Sequence, residues 1–313
     1  MAPISPCPVQ MRGDCLLQFP ARLTRNQHMQ WDKHKHDWPH ADHSHFVDSR
    51  PHRWHIQQMG QGPTLLLIHG AGGATHSWRD MMPILAKTHH VVAIDLPGQG
   101  FSQLGTRQRC SLTPMAEDIQ ALCSDQGWQP AAIIGHSAGG AIALQMCLLG
   151  VDAKVICFNA ALGNFKGLAG FLFPMIAKML ALNPFTASMF SLGASNASSV
   201  KRLIEGTGSY LTDEGLGYYQ NLIGDRDHVD ATLLMMAQWS LDGLRNRFGE
   251  IDSDVLLIAA DNDRAVPPET SDDAARLLPN AKVTRVPNLG HLAHEEDPDA
   301  MTALVLDHIG AHK

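Results

Sequence analysis

AAIIGHSAGGAIAL, residues 131–144, changes character at Ser137. Before it lies a short run rich in Ile and Ala, the text of a strand buried on both faces. After it come small residues that continue with helical spacing. GHSAG matches G-x-S-x-G, a common pentapeptide that gains meaning when a strand precedes it and a helix follows, because that context makes a nucleophile elbow. Such a turn strains the serine backbone by about 1–3 kcal/mol. Gly135 and Gly139 are needed because side chains there would collide across the turn, and Ala138, Gly139, Gly140, Ala141 and Ala143 let the helix lie close to the sheet. Ser137 is therefore the candidate nucleophile.

Working outward, HRWHIQQ (52–58) alternates with period two, and TLLLIH (64–69), VVAIDL (91–96), KVICFN (154–159), DVLLIA (254–259) and KVTRVP (282–287) repeat the buried-strand pattern. Helical text separates them: SWRDMMPILAK, TPMAEDIQALCSDQ with Thr113 as the expected N-cap, AGGAIALQMCLL and SDDAARLL. Strand and helix in turn predict an α/β fold with a mainly parallel sheet. One interruption, 163–247, is too long for a loop and reads as a helical cap, leaving 29–162 and 248–313 as the core. Residues 1–28 carry neither period and read either as a disordered arm or as a non-native extension ahead of a start at Met29. The histidine-rich stretch QWDKHKHDWPHADHSHFV reads as a solvated or docking arm, because Pro39 breaks the helix that would align His36 with His40 for a metal.

The 313-residue chain carries 24 Lys and Arg against 31 Asp and Glu, a formal charge of −7. No basic field exists to hold a phosphate backbone, so nucleic acid is not an expected partner. Six scattered cysteines without a C-x-x-C pair read as reduced thiols. The proline-bearing N-terminus lacks an apolar signal core, and no 18-residue apolar span occurs, so the expected compartment is the cytoplasm.

An attacking serine needs a base, and the base an orienting acid; at such an elbow both follow later in the chain, acid first. VLLIAADNDRAVPP offers Asp261 and Asp263, and VPNLGHLAHEEDP offers His291, with His294 as a competitor expected to face solvent from a helix. The developing oxyanion would take backbone N–H groups of Ala138 and of Ala71 in IHGAGGATHSW. That glycine-rich loop fits neither G-x-x-x-x-G-K-[ST] nor G-x-G-x-x-G, so no nucleotide cofactor is expected, nor any metal. His69, Gly70, His136, Phe165, Phe173 and Trp239 are the candidate substrate wall, with His69 and His136 the more natural as hydrogen-bonded framework. Trp78 and Phe101 are either lining or plain core. Residues 165–200 bear Lys166 and Lys178 as their only Lys, Arg, Asp or Glu before position 200, among five phenylalanines and three methionines, which reads as a packed lid, a wide apolar pocket or a membrane-surface contact.

Together, HG at 69–70, DLPGQGFS at 95–102, GHSAGG at 135–140, DRAVP from Asp263 and GHLAHEEDP at 290–298 resemble the α/β-hydrolase superfamily. That resemblance implies a mainly parallel sheet flanked by helices with a helical cap inserted after the sixth strand, and it selects Asp263 over Asp261. DWPH, RWHIQQMGQGP, THSWRD, FNAALGNFKGLAGFLFPMIAKMLALNPF, GTGS, MMAQWSL and DRAVPP further resemble the magnesium-chelatase accessory protein family of bacteriochlorophyll biosynthesis. This narrower likeness implies a role around magnesium insertion into protoporphyrin IX, with a tetrapyrrole as ligand and magnesium chelatase as a further contact; the apolar text of 165–200 separately offers an apolar small molecule or a peripheral membrane surface as contacts. The alternative is a general serine hydrolase that cleaves an ester or C–C bond of an apolar substrate. An epoxide-opening enzyme is weaker, since the usual route wants an aspartate where Ser137 stands.

Overall fold

The computed structural model describes residues 29–163 and 196–310. Eight strands form one sheet: β1 (Ser44–Ser49), β2 (His52–Met59), β3 (Thr64–Ile68), β4 (His90–Ile94), β5 (Pro130–His136), β6 (Lys154–Phe158), β7 (Val255–Ala260) and β8 (Ala281–Val286). Their spatial order is β1-β2-β4-β3-β5-β6-β7-β8. The β1–β2 and β2–β4 pairs are antiparallel and the rest parallel. The continuous apolar text of β3 has its cause here: Leu66 and Ile68 enter the core on one face while Leu65 and Leu67 enter the core on the other. A strand covered on both sides has no polar face to write.

Helix α1 (Trp31–His34) precedes β1, and α2 (Met82–Leu85), α3 (Leu112–Gln126) and α4 (Ala138–Leu148) follow β3, β4 and β5 respectively. The N-cap of α3 is Ser111 rather than Thr113, because the helix starts at Leu112, two residues ahead of Pro114. Between β6 and β7 lie α5 (Ala197–Gly206), α6 (Asp213–Gly224), α7 (Arg226–Gln238) and α8 (Asp242–Arg245), the described helices of the expected insertion after the sixth strand. Side chains of Asn196, Thr212 and Asp225 cap the first three of these helices. Helices α9 (Glu269–Ala275), α10 (Ala293–Glu296) and α11 (Pro298–Gly310) complete the α-helices among the described residues. Phe165, Phe173 and the apolar lid text lie outside the described residues, as do residues 1–28.

Strand β1 had no sequence signal, since an edge strand half open to solvent alternates poorly. The histidine-rich arm is solvated at His36, His43 and His45 and docks through Trp38: Trp38 is 4% exposed, its Nε1 donates to Thr75 Oγ1 at 3.2 Å, and its ring meets Phe101 and Tyr218 edge-on at 4.8 and 5.7 Å. The arm thereby ties the core loop after β3 to cap helix α6. No cluster of three or more candidate metal ligands occurs among the described residues.

The smallness of α4 is a contact requirement. A Cβ at Gly139 would sit 2.1 Å from Ile68 O and 2.8 Å from His69 O, both backbone atoms of the neighbouring strand and its exit. Gly139→Ala must push α4 off the sheet and is expected to cost at least about 1–3 kcal/mol, read as a lowered urea midpoint; an unchanged midpoint would refute the close approach.

Candidate active site

Ser137 joins β5 to α4 at φ 51° and ψ −113°, a backbone state that a non-glycine residue keeps only where its surroundings impose it. Two hydrogen bonds impose it: Ser137 N–H donates to Phe158 O at 2.9 Å, and Ser137 O accepts from Ala161 N–H at 3.0 Å. The end of β6 thus braces the turn that carries the serine. Ala138 heads α4, so its N–H is one of the helix's donors without an intrahelical partner. Across from it runs the loop after β3. A Cβ on Gly70 would lie 2.7 Å from His136 Nδ1 and 3.0 Å from Ser137 Cβ, so only glycine lets this loop close on the serine. Gly73 N–H returns to Gly70 O at 3.0 Å and Gly72 N–H donates to Gln99 Oε1 at 2.8 Å, leaving Ala71 exposed at the loop's crest.

The candidate acid, Asp263, and the candidate base, His291, follow the C-terminal ends of β7 and β8, on the same side of the sheet as Ser137. His291 Nδ1 meets Asp263 Oδ2 at 2.7 Å, with the carboxylate side chain fully buried. A carboxylate accepts, so Nδ1 carries a proton and donates in this contact. Asp263 Oδ1 accepts from Ala265 N–H and Val266 N–H, each at 2.8 Å, which locks the carboxylate's orientation. Asp261 is instead a surface partner of Arg285 at 2.8 Å. Ser137 and His291 are linked through His136, whose Nε2–H donates to His291 O at 2.9 Å and whose ring lies 4.7 Å from the His291 ring. Among the described residues there is no direct Ser137–His291 hydrogen bond. Contacts of this kind commonly tighten only in the reacting complex.

The remaining candidates divide. His69 is fully buried, with Nδ1 donating to Gly70 O at 2.7 Å and Nε2 accepting from Leu96 N–H at 2.9 Å, so neither nitrogen is left for a ligand. Trp239, half-buried after α7, packs against the core cluster that includes Ala138 and Leu162. Trp78 and Phe101 are buried core residues. His294 overturns the expectation that it faces solvent. It is 1% exposed, its ring lies tilted with its centroid 4.5 Å from that of His136, and its Nε2 contacts Ser77 Oγ at 2.8 Å. Burial holds its pKa at about 3, helped by the nearby His291 and Arg79.

Sequence reading missed two supports. Glu295 is buried behind the histidines, taking hydrogen bonds from Ser77 Oγ, Tyr219 OH and Arg79 at 2.7, 2.6 and 2.7 Å. Asp95, fully buried in the DLPGQG segment, accepts from Thr75 N–H at 2.6 Å and Phe101 N–H at 2.8 Å and pairs with His55 Nδ1 at 2.7 Å. Burial opposes its ionisation, but His55 and these donors hold its pKa below the usual carboxylate value. An aspartate opening an otherwise apolar strand exit was the available signal.

The sequence profile of the alpha/beta hydrolase fold matches residues 63–298. The chain is 43% identical over 273 residues to the magnesium-chelatase 30 kDa subunit of Rhodobacter capsulatus, covering 87% of this chain and 96% of that one. It is 28% identical over 269 residues to 2-hydroxy-6-oxo-6-phenylhexa-2,4-dienoate hydrolase of Burkholderia cepacia, covering 82% and 90%. Among solved structures, the epoxide hydrolase CorEH superposes with a TM-score of 0.73 at 20% identity over 86% of this chain and 99% of that one, a likeness of fold alone.

Proposed function

Because the chain belongs to the alpha/beta hydrolase family and, within it, to that of the magnesium-chelatase 30 kDa subunit, we propose that it acts in bacteriochlorophyll biosynthesis around magnesium insertion into protoporphyrin IX. The observation that carries this reading is the 43% identity running through 96% of that subunit, which exceeds what a shared fold requires. The expected ligand is a tetrapyrrole or another apolar small molecule, and magnesium chelatase is the expected partner. Among the described residues no helix is long and apolar enough to cross a membrane.

The second reading, a serine hydrolase of an apolar ester or C–C bond, is favoured by the His291–Asp263 hydrogen bond beside a strained Ser137. In that chemistry Ser137 Oγ attacks the substrate carbonyl and passes its proton to His291 Nε2, while Asp263 stabilises the imidazolium. Ala138 and Ala71 N–H groups receive the oxyanion, each such donor contributing about 3 kcal/mol to the transition state. His291 then returns the proton to the leaving group, and water releases the acyl group by the same route.

The two readings join if turnover serves pigment synthesis. A strain lacking this gene, complemented with wild-type protein, is expected to make bacteriochlorophyll, and complementation with Ser137→Ala is expected to fail. Full pigment with Ser137→Ala would assign the role to binding alone. Failure of the wild-type gene to alter pigment would sink the biosynthetic reading.

A further inference from the structure

One carbonyl oxygen gathers the ends of three strands. His291 O accepts from His136 Nε2–H at 2.9 Å and from Asn159 Nδ2–H at 2.9 Å, while Asn159 Nδ2 also donates to Gly290 O at 3.0 Å. The other end of the same amide, Asn159 Oδ1, accepts from Ala260 N–H at 2.8 Å at the close of β7. Asn159 N–H donates to Ile258 O at 2.8 Å. All hydrogen-bonding positions of this 3%-exposed side chain except one oxygen lone pair are therefore used. Asn159 holds φ 47° just beyond β6, a left-handed backbone that asparagine tolerates better than most residues. The residue thus reaches from β6 to the root of the acid loop and to the backbone of the base, and His136 reaches the same oxygen from the residue before the nucleophile.

We propose that Asn159 is a positioning residue that, together with His136, sets His291 against Ser137 by gripping the His291 carbonyl rather than its ring. This inference rests on the serine-hydrolase reading of the site. Asp263 fixes the direction of the imidazole about Nδ1. Among the described residues, the hydrogen bonds that tie the base to the elbow meet at the shared carbonyl, beside the 4.7 Å contact of the His136 and His291 rings. His136 is a neutral donor here: a carbonyl can only accept, so its proton lies on Nε2, and burial disfavours a second proton. The surrounding charged and titratable groups, His291, His294 and His69, disfavour it further.

Asn159→Asp preserves shape and the Oδ1 contact to Ala260 but turns the donor toward Gly290 O and His291 O into an acceptor. His136→Phe keeps the ring packing and removes the other donor. Both are read in the full chain by two measurements: the rate and saturation constant of Ser137 labelling by a fluorophosphonate, and the low-field proton resonance of His291 Nδ1–H. Asn159→Asp is expected to lower the maximal labelling rate about 100-fold with an unchanged saturation constant, as displacement of a reacting group by about 1 Å does. The low-field resonance is expected to shift or broaden in both variants. Wild-type labelling rate and resonance in either folded variant, even with a lowered melting temperature, would overturn the proposal. Should wild-type protein label no better than Ser137→Ala, the hydrolase reading fails, and the resonance alone then decides whether Asn159 orders His291. If Asn159→Asp does not fold, His136→Phe carries both readouts.

Discussion

Covalent labelling by a serine-directed fluorophosphonate is expected to be complete in wild-type protein, absent in Ser137→Ala, and slowed by about 10⁴ in Asp263→Asn. The size of the last effect follows from where the carboxylate's two oxygens go. Oδ1 is committed to the N–H groups of Ala265 and Val266. An asparagine would keep its single oxygen there and turn its NH₂ toward His291 Nδ1. The imidazole must then accept at Nδ1 and carry its proton on Nε2, where a lone pair is needed to take the serine proton. Geometry is preserved and the tautomer is wrong. The measurement is in-gel fluorescence against time for the three proteins at equal concentration. Equal labelling of wild type and Ser137→Ala removes Ser137 as nucleophile; equal labelling of wild type and Asp263→Asn removes Asp263 as its orienting acid.

The second large effect is on stability. His76, His136 and His294 are buried and held neutral, their pKa values well below 6.5 for the first two and about 3 for the last. Burial is the leading cause in each. Arg79 adds repulsion at His76 and His294, and neighbouring histidines add it at His136. An unfolded chain binds protons at these positions as pH falls through 6.5, whereas the native chain refuses them, so stability falls with pH in this window. At His294, held at about 3, the loss near pH 5 is about 2 kcal/mol, and His76 and His136 act in the same direction. Against the total stability of an ordinary domain, about 5–15 kcal/mol, a loss of that size is large. The lowered carboxylates Asp95 and Asp118 do not offset it, because their stabilisation is present throughout this range and is lost only at pH values below the ordinary aspartate value of 3.8.

Urea midpoints are therefore expected to drop steeply between about pH 7 and pH 5. Neither ring nitrogen of His76 has a hydrogen-bond partner among the described residues, and its neighbours are Trp38, Tyr218 and Tyr219. His76→Phe thus loses no hydrogen bond and is expected to flatten the acid limb while leaving the neutral midpoint equal or higher. A midpoint that does not move with pH would show that these histidines are protonated in the native protein.

Which parts of the site were legible follows from how local their causes are. Ser137 was readable because its turn demands glycines at fixed offsets and a strand and helix on either side, all within a dozen residues. Asp263 and His291 needed more: chain order and family likeness pointed to them, since two aspartates and two histidines compete in the same loops. His294 was misread for a physical reason. A short helix offers no periodicity to tell its faces apart, and the residues that bury it, Trp78, His136 and Phe158, come from three distant segments. Asn159 carried no signal beyond following a strand, because its partners lie more than 100 residues away.

The amino-acid sequence by itself determined the alternation of buried strands and helices, the elbow at Ser137, the insertion after β6 and the lineage, because each is written in short-range spacing or contiguous text. Tertiary structure alone decided the edge strand β1, the docking of the histidine-rich arm, the choice of buried against exposed histidines and the His291 carbonyl shared by His136 and Asn159. Apart from β1, which pairs with the strand that follows it, those features are contacts between segments far apart in the chain. Their energies come from burial and hydrogen bonding that no single stretch of residues contains.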